Sequence, residues 1–185
     1  MFRQRTPGLL ALVLCIVGLG ACATTPQTPT AKEHLRLQSE TALTRFKEKN
    51  ADMKTYIDHA YGYVIFPSVT KGAAGVGGAY GRGMVYEKGR FIGYADVSQG
   101  TIGPQLGGQE YSEIILFEDK AALERFKAGS VEFAAQASAI AAESAASSAA
   151  NYEQGVMVFS MGNGGLMFEA SIGGQKFTYA PAEAA

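Results

Sequence analysis

Lys71-Gly72-Ala73-Ala74-Gly75-Val76-Gly77-Gly78-Ala79-Tyr80-Gly81-Arg82-Gly83 is the stretch on which the fold turns. Its neighbours on both sides have strand composition, yet six of these thirteen residues are glycine. Glycine inside a strand weakens it unless the backbone must bend or another chain must come close. Thirteen of the chain's 23 glycines fall between Gly62 and Gly108, which predicts a strongly curved, glycine-rich antiparallel sheet or a small barrel. Gly78 and Gly81 are expected at tight bends, and Gly103 and Gly107 are assigned a structural role with them. Gly72, Gly75, Gly78 and Gly81 recur every three residues, a spacing that fits neither the dinucleotide G-x-G-x-x-G nor the phosphate-loop lysine motif. A nucleotide-binding loop is therefore excluded.

Working outward, Tyr63-Val64-Ile65-Phe66-Pro67 is a β-rich run stopped by proline. Glu87-Lys88-Gly89 between Met84-Val85-Tyr86 and Phe91-Ile92-Gly93-Tyr94 predicts a hairpin turn, Asn163-Gly164-Gly165 a second and Gly173-Gly174 a third. One helix interrupts the strands, capped by Asp119 and running to about Ala128. Before the sheet, Thr30 and Glu33 have capping-box spacing, and Leu35, Ala42, Leu43 and Phe46 follow at helical spacing, which predicts a helix over 31–49. A short second helix over 51–60 places Met53 and Ile57 on one face. The fold class is thus α+β: N-terminal helices, then the curved sheet with one inserted helix. Residues 134–150, with ten alanines, suit either a helix or a strand against a crowded neighbour, and periodicity does not decide between them.

The N-terminus has the architecture of an export signal. Arg3 and Arg5 precede an apolar run from Leu9 to Gly20, about half the roughly 20 residues a membrane-spanning helix needs. Leu19-Gly20-Ala21-Cys22 closes it as a lipobox, in which the Cys22 thiol is the group that is acylated. The alternative is a plain signal peptide cut near Ala21 or Ala23. Residues 1–21 are then a signal, 22–30 a lipidated tether with two prolines and four threonines, 31–180 the domain and 181–185 a tail.

Composition agrees with one exported domain. Cys15 leaves with the signal and Cys22 carries lipid, so neither of the 2 cysteines is left for a disulfide, and about 160 residues suffice for a packed core. The formal net charge of -1 becomes about -3 without the two signal arginines, too little basicity for nucleic-acid binding. That total hides a segregation: Cys22 to Arg90 sums to about +4 and the remainder to about -7. A basic surface beside anionic head groups gains on the order of 1 kcal/mol per basic side chain, although the same charges also suit a solvated helix face and hairpin turns.

Catalytic chemistry is thinly provided. His34 and His59 both lie in the helical part, where surface roles are commonest, and Asp58-His59 alone lacks the further ligands of a metal site. Glu110 and Glu113, three apart in a strand, point to opposite faces and cannot act as paired carboxylates. Tyr80, Tyr86, Tyr94 and Tyr111 suit either a groove or ordinary strand packing. No cofactor and no metal are expected, and the chain is not expected to be an enzyme.

Gly62-Tyr63-Val64-Ile65-Phe66-Pro67-Ser68-Val69-Thr70-Lys71, Gly77-Gly78-Ala79-Tyr80-Gly81-Arg82-Gly83, Gly100-Thr101-Ile102-Gly103-Pro104-Gln105-Leu106-Gly107-Gly108-Gln109, and the pair Ile114-Ile115-Leu116-Phe117 and Ala122-Leu123-Glu124-Arg125-Phe126 stand in one order. Together they resemble the SYLF lipid-binding domain family, over roughly Ala31 to Tyr179. Ala142 and Glu143 stand where the family has glycine and proline, and Glu169 where it has glycine, so the backbone there does not carry over. The resemblance implies an anionic phospholipid surface with Lys71 and Arg82 as its best-matched cations; Lys88, Arg90 and Tyr80 join them as candidate lipid contacts. An apolar groove with Tyr80 and Phe91 is the alternative site. Actin, bound by some members, is not expected in a bacterial envelope. The expectation is a phospholipid-binding lipoprotein acylated at Cys22; with Ala23 rather than aspartate next, it belongs to the periplasmic side of the outer membrane. The rival is an envelope scaffold recognising a protein or cell-wall partner, and a lipid hydrolase or transferase is weaker for want of a nucleophile and base.

Overall fold

The structure is a computed structural model describing residues 24–129, 152–162, 165–168 and 175–182, with side chains described at all of these except 73–77, 100–109 and 165–168. The expectations for the signal segment, Cys22, the alanine-rich 134–150, Glu169 and the turns at 163–164 and 173–174 lie outside those residues. Among the described residues, helices α1 (Pro29–Lys49) and α2 (Met53–His59) precede strands β1 (Gly62–Glu87) and β2 (Arg90–Phe117). Then follow α3 (Lys120–Lys127), β3 (Val156–Gly162), β4 (Gly165–Phe168) and β5 (Gln175–Pro181). The α+β class is as expected. The strands form one antiparallel sheet in the order β1-β2-β3-β4, with β5 also on β2.

The helices begin and end for local reasons. Thr28, not Thr30, caps α1: its hydroxyl accepts from the Ala31 amide at 3.1 Å. The capping box expected at Thr30 and Glu33 is therefore incorrect. Pro29 occupies the first turn, where its fixed φ is pre-organised for the helix and its missing N–H needs no partner, so the cap falls to the residue before it. Glu33 instead pairs with Arg36. Leu35, Ser39, Ala42 and Phe46 face inward, the spacing of one helical stripe. The Asp119 carboxylate accepts from the Ala122 amide at 2.8 Å and starts α3 as its sequence predicts.

β1 and β2 are one long hairpin. Its turn places Lys88 at φ 49 and Gly89 at φ 74, the left-handed pair that two-residue hairpins use. Three register shifts interrupt the ladder. At the first, Pro67 and Ser68 face Ser112, whose hydroxyl donates to the Pro67 carbonyl at 2.7 Å. At the second, Gly75 alone faces Gly103-Pro104-Gln105, between Ala74↔Leu106 and Val76↔Ile102. A proline has no N–H to give the ladder, and surplus residues on one strand bend it. The third lies between Val85 and Tyr86.

On β2's other edge, β5 pairs with 93–99 and β3 with 112–117. The first and last parts of β1 also approach each other directly. A Cβ added at Gly81 would lie 2.8 Å from the Ser68 carbonyl oxygen and 2.8 Å from Val69 Cγ2, and one at Gly83 would lie 2.5 Å from the Ile65 oxygen and 2.7 Å from Phe66 Cδ1. Gly62 meets Tyr86 in the same way, at 2.6 Å. The turn itself is tied to the strand's start, the Lys88 amide donating to the Tyr61 carbonyl at 2.9 Å.

Gly81 therefore has no room for a side chain, whereas Gly78 has, so the crowding expected at Gly78 is absent. Gly78 is exposed, with one atom, Gln99 O at 3.4 Å, near its added Cβ, an ordinary contact. Gly107 pairs with Ala73, and Gly103 falls in the unmatched segment.

Both faces of the sheet are covered. Val64, Phe66, Val85, Ala95, Val97, Ile115, Phe117, Val158 and Phe177 form one core with Leu123 and Phe126 of α3. Tyr63, Ile65, Met84, Tyr94, Ile114, Leu116, Met157 and Phe159 form the other with Leu35, Ala42, Phe46 and Met53 of the N-terminal helices. Strand segments buried on both sides need no polar alternation, which explains the unbroken run Tyr63-Val64-Ile65-Phe66.

Candidate functional site

The five residues expected to contact lipid are distributed over three places. Lys71, half-buried, stands opposite Gln109 beside the glycine-rich middle of the hairpin. Tyr80 and Arg82 are alternate residues of β1, so they share a face, opposite Ser98 and Asp96 of β2. Lys88 and Arg90 sit on either side of Gly89 at the turn.

Arg82 is engaged in the fold. Its Nε lies 3.0 Å from Asp96 Oδ1, and its Nη2 donates to the Tyr80 hydroxyl at 3.0 Å. Burial opposes the guanidinium charge, but the hydrogen bond and attraction from Asp96 outweigh it and raise its pKa above the ordinary value. Burial, then the Asp96 charge, raises the Tyr80 phenol. Reversing the charge at Arg82 would thus leave Asp96 facing a like charge, a structural disturbance as well as a change in surface potential.

The turn presents different chemistry. Lys88 and Arg90 are exposed, and the Lys88 ammonium lies 5.0 Å from the centre of the Tyr61 ring, a cation–π distance. The Tyr61 hydroxyl donates to Glu87 at 2.7 Å, and that bond, followed by burial, raises the phenol's pKa. Next to Arg90, Phe91 is 37% exposed, an exposed large hydrophobic side chain. It is held edge-on by Tyr86 and Tyr94 at centroid distances of 5.9 and 5.1 Å, and Tyr86 stacks on Tyr63 at 4.8 Å. The four rings make a row in the order Tyr63, Tyr86, Phe91, Tyr94, and exposed Phe91 follows exposed Lys88 and Arg90 in the chain.

His34 and His59 are exposed, and His59 Nδ1 bonds its own helix at Thr55 O, 2.8 Å away. Among the described residues no three His, Cys, Asp or Glu side chains gather as a metal group, and no helix is long and apolar enough to cross a membrane. Glu110 and Glu113 diverge as predicted: Glu110 is exposed and accepts from the Ser68 hydroxyl at 2.5 Å, while Glu113 is fully buried.

No protein-family model matches the chain. Beta cell expansion factor A of Aeromonas veronii is similar to it, with 30% identity in an alignment of 158 residues that covers 80% of this chain and 58% of that protein. The chain therefore spans under two thirds of that relative's length.

Sequence reasoning passed over Glu113 as a site in its own right. The signal was present: in Glu113-Ile114-Ile115-Leu116-Phe117 the acid has the same strand phase as Ile115 and Phe117, so it had to face the same core as they do.

Proposed function

We propose that this chain is a non-enzymatic envelope lipoprotein, acylated at Cys22 and held at the outer membrane, whose domain binds anionic phospholipid. The observation that carries the binding reading is the hairpin turn, where Lys88, Arg90 and Phe91 are all exposed within four residues of sequence. Two cations favour an anionic surface by on the order of 1 kcal/mol each, and the ring adds apolar area that can enter the interface. The resemblance to the SYLF family, read from the sequence, points the same way.

The reading includes a strongly curved sheet approaching a barrel. The near-contacts of Gly62, Gly81 and Gly83 with the other end of their own strand support it, as do the unmatched Gly103-Pro104-Gln105 and the Lys88–Tyr61 backbone bond. A folded-back hairpin carries its turn to one end of the domain, where a membrane can reach it.

The test separates the turn from the sheet face. In the unacylated domain, Lys88→Glu with Arg90→Glu should weaken partition into vesicles containing phosphatidylglycerol by at least tenfold, about 1.4 kcal/mol, and leave neutral vesicles little affected. Higher salt should weaken wild-type binding as well. Unchanged binding of the double variant would sink the turn as the lipid contact, and absence of vesicle binding by wild type would favour the scaffold reading. Anchoring is tested apart from this. Cys22→Ser should yield unprocessed or soluble protein, and recovery of that variant in the membrane fraction at the normal processed mass would refute acylation.

A further inference from the structure

The geometry points to a binding site for a hard cation of the calcium type inside the domain, between Glu113 of β2 and Gln175 of β5. Glu113 is 0% exposed and Gln175 8%. In register, Glu113 stands opposite Phe66 on β1 and Ser160 on β3, and Gln175 stands opposite Gln99 on β2. Paired residues share a face of the sheet, so a carboxylate, a hydroxyl and two amides border the core that holds Phe66 and Phe177, whose rings lie 6.0 Å apart.

Gln175 Nε2 donates to Glu113 Oε2 at 3.2 Å across 62 residues of sequence. That bond fixes the amide and turns its Oε1 into the interior, where this buried acceptor has no hydrogen-bond partner. A buried acceptor without a donor is costly, and a cation is the species that satisfies it while also favouring the carboxylate beside it.

The donor types identify the class. Carboxylate, amide carbonyl and hydroxyl are hard oxygen ligands of the kind calcium takes, with no thiol or imidazole among them to recruit zinc or copper. A single carboxylate places the affinity at the weak end, about 10⁻⁴–10⁻³ M. Glu113 and Gln175 belong to different strands, so the bound cation would fasten β5 to the rest of the sheet. This role is independent of the lipid surface at the turn.

Melting of the purified chain is measured after chelation, then with 10 mM calcium, against a tetramethylammonium control of equal ionic strength. Calcium should raise the melting temperature by several degrees, and Glu113→Gln should abolish the response. Because Glu113 is fully buried and its replacement puts folding at risk, Gln175→Glu is the second probe. The added carboxylate should lower the calcium concentration at half-effect by at least tenfold and make the chelated protein less stable than wild type. A wild type indifferent to calcium would overturn the proposal, leaving a water-bridged polar contact. So would an undiminished calcium response in folded Glu113→Gln, or a half-effect concentration unmoved in Gln175→Glu.

Discussion

Gly83→Val is expected to cost about 3 kcal/mol, the upper range for forcing extra carbon into a filled interior, and to lower the melting temperature by roughly 6–12 °C in a domain of this size. The first added carbon would already lie 2.5 Å from the Ile65 carbonyl oxygen and 2.7 Å from Phe66, and the Phe66 ring is fully buried with little room to retreat. Two more methyl groups must then find space between two segments of the same strand. Gly81→Val should follow at about 1–3 kcal/mol, since one of its neighbours is a valine methyl rather than backbone. Gly78→Val is the control. Its surroundings are open, so its effect should stay within about 0.5 kcal/mol. Urea denaturation of the three variants checks the order, and equal losses at positions 78 and 83 would contradict the close approach of the two ends of β1.

Phe126→Ala is expected to destabilise by about 3–5 kcal/mol, the range for removing a buried phenylalanine. Phe126 is fully buried and lies 5.0 Å from the Phe117 ring and 5.2 Å from the Phe177 ring. It is thus the side chain by which the short α3 joins the end of β2 to β5, and its loss opens a cavity that three elements border. Phe91→Ala, where the ring is partly in water already, should cost less than about 1.5 kcal/mol while weakening vesicle binding. The same denaturation experiment tests both, and similar losses would mean that α3 is not a keystone of this core.

Much of this architecture was legible in the residues because local chemistry alone determines it. Lys88-Gly89 could supply the positive φ of a tight turn, Asp119 could only cap, and the Met53–Ile57 spacing could only be helical. The glycine-rich middle announced close backbone approach, but which glycines were close depended on contacts between segments more than ten residues apart. Gly78 and Gly81 look alike in sequence; only the return of Ser68 and Val69 distinguishes them. The helix start was missed because Thr28 and Thr30 are equivalent caps until Pro29 between them is weighed. At the candidate site basic residues could be named from the sequence, but their pairing could not. Asp96 opposite Arg82 depends on hairpin register, and between the turn and that pair lies a shift at Val85 and Tyr86 that no local pattern reveals. Glu113 was in plain view as an acid in phase with an apolar strand, yet its partner Gln175 is brought in only by tertiary folding.

The placement of β5 also sets an order of events. Ser98 and Lys176, neighbours across the ladder, are 78 residues apart in sequence, whereas the β1–β2 turn closes from adjacent residues. Contacts so distant are slow to form because loop closure must precede any gain from them. During synthesis the long hairpin can zip as soon as it is made, but Phe177 and the Tyr179 contact over Gly93 arrive only with the last strand. Until then one edge of β2 and half a core stand open to solvent, an intermediate that should bind hydrophobic dyes and invite chaperones. Ribosome-stalled chains ending before residue 175 should accordingly be protease-sensitive over 93–99, and become resistant once residues 175–181 are free to dock.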